Sequence, residues 1–123
     1  MEWINKSRAG GLVDALFTDA EAGRVRLWMS AINVGEVYYF LRKHVDHALA
    51  DFWREISPAA PVTIDVPTLE DIWQAAQIKG DHPVSYADAF AAALARKHRC
   101  PVVTGDPEFR SIRGLSIDWI GPR

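Results

Sequence analysis

The sequence predicts an α/β sandwich with a mainly parallel sheet, and three observations carry that reading. Apolar residues recur at helical spacing in some segments and alternate in others, and the two kinds of segment take turns along the chain. Strands joined through helices return in the same direction, which makes them parallel. The chain has 123 residues, 49% of them apolar and 24% charged, which suits one domain with one packed core.

The elements follow in order. Leu12 to about Ala20 reads as a helix with Leu12, Val13 and Leu16 inward, stopped by Gly23 and followed by a short strand at 25–29. Val34, Val37, Tyr38 and Leu41 mark the buried face of the next helix. After a break near His44, Val45, Ala48, Leu49, Phe52 and Ile56 mark another, which Pro58 and Pro61 end. Residues 62–66 alternate as a strand with one solvated face, and Leu69, Ile72, Trp73 and Ala76 define a helix closed by Gly80 and Pro83. Ser85 to His98 is alanine-rich and apolar nearly all round, so a buried helix is expected there. A short strand at 101–104, a helical turn opened by Pro107 and a last alternating strand at 115–120 complete the chain. The alternating strands 62–66 and 115–120 suit sheet edges, and 25–29 and 101–104 the interior.

Composition excludes several classes. The formal net charge of −2 argues against a grip on nucleic acid through overall positive charge. Acid is concentrated in the middle, with two basic and eight acidic residues over 44–95, whereas 96–123 carries six basic and three acidic. The run Arg96, Lys97, His98, Arg99, with Arg110 and Arg113 beyond it, suits either phosphate contacts or the negative end of a helix. One cysteine, Cys100, leaves no internal disulfide and no cysteine zinc site. No stretch approaches the roughly 18 apolar residues of a membrane span, and the first residues lack the order of a signal peptide, so a cytoplasmic protein with no membrane partner is expected.

Three acids stand out. Glu36, Asp88 and Asp106 each fall at a strand-to-helix junction or in a first helical turn, and in a parallel sheet those junctions gather at the carboxyl ends of the strands. Carboxylates brought together without cysteine suit a hard, oxygen-preferring cation such as Mg²⁺ or Mn²⁺. Each acid also has a purely structural reading. Asn33 to Glu36 and Ser85 to Asp88 look like capping boxes, and Asp106-Pro107 looks like an N-cap followed by proline at the first helical position.

At these residues the sequence resembles the PIN-domain ribonucleases, and in particular the VapC-type toxins of toxin–antitoxin pairs. Ser30 to Tyr39 is similar to the family's second strand and acidic helix, with Glu36 at its glutamate. Ser85 to Ala95 is similar to its aspartate helix, and Val102 to Phe109 to its last acidic motif. The family pattern opens with a strand ending in Leu-Asp, whose aspartate binds metal, and no such segment precedes Glu36. Met1 to Asn5 instead looks like the middle of the helix that follows that strand. The resemblance therefore implies a PIN-like three-layer α/β/α sandwich over residues 1–123, a single N-terminally truncated domain whose first strand is missing. Asp14, Asp19 and Glu21 are poor replacements for the absent aspartate and read as solvent-facing.

The resemblance further implies metal-dependent hydrolysis of RNA, with Glu36, Asp88 and Asp106 holding Mg²⁺ or Mn²⁺ directly or through water. Arg96, Lys97, Arg110 or Arg113 would then position phosphates. It implies RNA as substrate, a cognate antitoxin as partner, and a homodimer. The missing strand would leave 25–29 and 101–104 with unpaired edges, which predicts association and exposed apolar surface around Trp28 and Val102. Two alternatives stand beside this reading: a catalytically inactive PIN-like binding module, and an unrelated doubly wound interaction domain whose acids are caps. Among lesser features, Thr104 reads as a strand end or a partner for water or phosphate, and Glu108 as an outer contact or a helix-start charge. His44 and His47 lack a third metal ligand nearby, and the five tryptophans read as core and interface.

Overall fold

The computed structural model describes residues 8–121, with side chains described from Gly11 onward. The helical reading of Met1 to Asn5 lies outside the described residues. Helices alternate with short parallel strands, the α/β/α plan that the sequence predicts. The elements are α1 (Arg8–Glu21), β1 (Trp28–Ser30), α2 (Ala31–His44), α3 (His47–Ile56), β2 (Thr63–Asp65), α4 (Leu69–Asp81), α5 (Tyr86–His98), β3 (Val102–Thr104) and β4 (Ile117–Trp119). Short 3₁₀ turns cover Ser57–Ala59 and Pro107–Ser111.

The strands form two parallel pairs. β1 pairs with β2, aligning Met29 with Ile64, and β3 pairs with β4, aligning Val103 with Asp118. Among the described residues β1 and β3 each pair on one side only and do not pair with each other. Val102 itself is 7% exposed under α5 and Trp28 is half-buried against His98, while the expected apolar exposure stands beside them at Val103 and Val25.

Packing is uneven. The largest core joins α4, α5, β3 and the 107–111 turn through Ala75, Ile78, Ala89, Phe90, Val102 and Phe109. The alanines of α5 permit this, because small side chains let neighbouring backbones come close. The α2–α3 hairpin has a smaller core of Val37, Leu41 and Ala50, with Met29, Tyr38 and Trp53 against it. Trp53 Nε1 donates to the Val34 carbonyl at 3.0 Å, and Tyr38 donates to Asp51 at 2.8 Å. The apolar stripe expected to bury α3 does not do so. Leu49, Phe52 and Ile56 are exposed, as is Val45 just before the helix, and α3 packs through Ala50 and Trp53 instead. On α4 likewise, Leu69 and Trp73 face solvent while Ala75 and Ile78 are buried.

Candidate metal centre

The acids are placed by helix starts that the local sequence dictates. Ser85 is the N-cap of α5, its hydroxyl accepting from the Asp88 amide at 3.1 Å, so Asp88 sits in the first turn. Asp106 caps the 107–111 turn, where Pro107 needs no amide partner, and its Oδ1 accepts from the Glu108 amide at 2.9 Å. Buried Thr104, at the end of β3, turns its hydroxyl to the Asp106 amide at 3.0 Å, fixing where the acid leaves the strand. Behind this loop, a Cβ on Gly121 would stand 3.0 Å from the Cα and carbonyl of Gly105, so only glycine allows that approach.

These starts bring Asp88, Asp106 and Glu108 together, with one carboxylate oxygen from each lying within 4.8 Å of the others. Asp88 and Asp106 are half-buried and Glu108 is exposed. Glu36 stands outside that triplet but close enough to Asp88 to feel its charge. Burial pushes the Glu36 carboxyl above its ordinary pKa, Asp88 adds to the rise, and the Asn33 side chain opposes it. Burial likewise raises Asp88, with the charges of Asp106 and Glu108 adding to the effect and hydrogen bonds from Ser85 opposing it.

Asp71 shows what a purely capping acid looks like. It completes a capping box with Thr68, and the Thr68 backbone amide it accepts, with Lys97 at 3.1 Å, holds its carboxyl below the ordinary range. Asp88 and Glu36 shift the other way because burial desolvates them and like charge stands beside them. Among the described residues, the ion pairs join Arg24 to Asp19 and Lys97 to Asp65 and Asp71, and none reaches Glu36, Asp88, Asp106 or Glu108. An oxygen-only set with no ion pair among the described residues fits a hard divalent cation.

Several sequence readings change here. Asn33 is not a cap: Ser30 caps α2 by accepting from the Ile32 amide. Asn33 Nδ2 instead donates to the Ala87 carbonyl at 2.9 Å, tying the first turn of α2 to that of α5. Glu108, read as an outer contact or a helix-start charge, belongs to the triplet. The signal available was its position two residues after a capping aspartate, which folds both over one turn.

Three of the four basic residues are engaged elsewhere. Arg96 donates to the Arg113 carbonyl at 2.7 Å, Lys97 pairs with Asp65 and Asp71, and Arg110 stacks 4.0 Å from the Trp119 ring. Arg96 and Lys97 lie two turns or more beyond Asp88 on α5, about 12 Å along the axis. They stand at the carboxyl end of that helix, as its dipole favours.

Fold and centre together define an α/β protein with a carboxylate cluster at the carboxyl ends of its strands, equipped to hold a divalent cation. The sequence model of the PIN domain family matches residues 3–115, and the chain belongs to that family. PIN domains are generally metal-dependent nucleases. No curated protein matches the chain in sequence.

Proposed function

We propose that this PIN domain is a metal-dependent endoribonuclease, the cytoplasmic toxin of a VapBC-type pair, with a cognate antitoxin as partner and a homodimeric state. The observation that carries the reading is the convergence of Asp88 at the start of α5 with Asp106 and Glu108 of the 107–111 turn, with Glu36 beside them and no ion pair among the described residues to any of the four. Mg²⁺ or Mn²⁺ bound there would supply Lewis acidity for hydrolysis of an RNA phosphodiester. Asp88 and Asp106 would hold the ion, Glu108 would complete the set from the exposed side, and Glu36 would act through water. Glu36, half-buried beside Asp88, would accept a proton from the attacking water. Exposed apolar side chains on α3 and α4, including Phe52 and Trp73, support protein partners.

The test is cleavage of RNA by the purified chain with Mg²⁺ or Mn²⁺. The reading expects cleavage that EDTA and Asp88→Asn each suppress, and cleavage surviving both contradicts it. Arg96, Lys97 and Arg110 are engaged away from the acids, which favours a second reading as a PIN-like binding module. Mn²⁺ binding that depends on Asp88 but leaves RNA intact selects that module.

A further inference from the structure

A cleft lies at the amino ends of β1 and β2, away from the acids, which gather where β1 and β3 end. The loop 23–27 and residues 60–63 wall it, and its volume is about 510 Å³. Arg24 and Arg26 line it, and among the described residues no carboxylate does, Asp19 standing beside it against Arg24. The Arg24 guanidinium makes an exposed ion pair to Asp19 at 3.1 Å, a kind of contact worth little in water. The Arg26 guanidinium lies 5.0 Å from the centroid of the Trp28 ring, and Trp28 stacks on His98 with centroids 3.8 Å apart. This leaves the flat guanidinium held by an aromatic face, with no carboxylate among the described residues paired to its donors.

We propose that this cleft binds the phosphodiester backbone of single-stranded RNA, as an exosite remote from the acid cluster. The inference rests on the reading of RNA as substrate and adds where the strand is gripped. Four neighbouring carboxylates repel phosphate, and the chain as a whole is negative, so attraction has to be local. Paired guanidinium groups suit phosphate oxygens better than any other side chain does. Their position at the amino ends of β1 and β2 sets them away from the carboxylates at the other end of the strands. An open wall between two surface segments also admits a polymer passing through.

The experiment measures fluorescence anisotropy of a short fluorescein-labelled oligouridine with the full chain in EDTA, which removes the metal contribution. The double variant Arg24→Gln/Arg26→Gln should weaken binding at least ~10-fold at low salt and flatten the salt dependence by about 1.4 in log–log slope, the share of two phosphate contacts. Thr63→Glu, which places an acid in the same cleft without touching either arginine, should weaken binding in the same direction. Melting temperature and Mn²⁺ binding check that each variant is folded. Unchanged RNA affinity in folded variants overturns the proposal. So does loss of inorganic phosphate binding with RNA affinity retained, which marks a small-anion pocket. A chain that fails to bind Mn²⁺ yet shows the predicted pattern keeps the exosite and loses the nuclease reading. One that binds Mn²⁺ while the variants hold RNA normally loses the exosite alone.

Discussion

The α4–α5 half of the molecule and the α2–α3 hairpin differ in how they are held, and the difference explains the shape of the centre. The first half buries ten residues in one cluster and supplies Asp88, Asp106 and Glu108, whose oxygens meet. The hairpin buries three and supplies Glu36, which stands apart. Its tie to the rest at the site is the Asn33 to Ala87 hydrogen bond. A tight ligand set thus comes from the part of the chain with the densest packing, and the looser acid from the part with least.

The largest effect expected is in the larger core. Phe90→Ala should cost about 3–5 kcal/mol in denaturant unfolding, whereas Leu41→Ala should cost about 2–3 kcal/mol, because the hairpin can collapse further around the cavity. Equal losses would break the contrast. Asn33→Ala should leave the fold in place and weaken the link between halves, read as faster amide exchange in the first turn of α2 with that of α5 unchanged.

A second effect turns on charge. The carboxyls of Asp88 and Glu36 have pKa values raised by folding, so each destabilises the metal-free protein above its folded pKa and ceases to do so as pH falls through it. Asp88→Asn should therefore raise the melting temperature at pH 7 in EDTA, and this advantage should shrink on acidification. In Mn²⁺ the order should reverse, since the wild type alone gains from binding. A variant less stable than wild type at pH 7 in EDTA would show that the Asp88 carboxylate, desolvated and beside Asp106 and Glu108, does not cost the metal-free fold stability.

How much was legible follows from the same contrast. The α5 helix and the 107–111 turn announce themselves through Ser85 and Asp106-Pro107, local signals that depend on nothing distant. The faces of α3 and α4 do not. The periodicity of Leu49, Phe52 and Ile56 says that one face is apolar, but which face meets a neighbour is decided by the small Ala50 opposite Val37 and Leu41. Asn33 has the same difficulty, because its partner Ala87 lies 54 positions away. Strand length was overread for a simpler reason: 25–29 has a strand's composition, yet the parallel ladder covers 28–30.

The smallest effects belong to the surface. Phe52→Gln should change stability by no more than about 0.5 kcal/mol, because the ring is already 54% exposed. A large loss in the isolated chain would mean that the stripe is covered in solution. Lys97→Ala should cost about 0–1 kcal/mol, as its two carboxylate partners lie near the surface.

The central claim, that these acids form one cation site, is tested most directly by Mn²⁺ titration followed by electron paramagnetic resonance. The wild-type chain should bind the ion, Asp88→Asn and Asp106→Asn should each abolish binding, Glu108→Gln should weaken it, and Glu36→Gln should weaken it least. Equal binding by wild type, Asp88→Asn and Asp106→Asn, each confirmed as folded, would contradict the account.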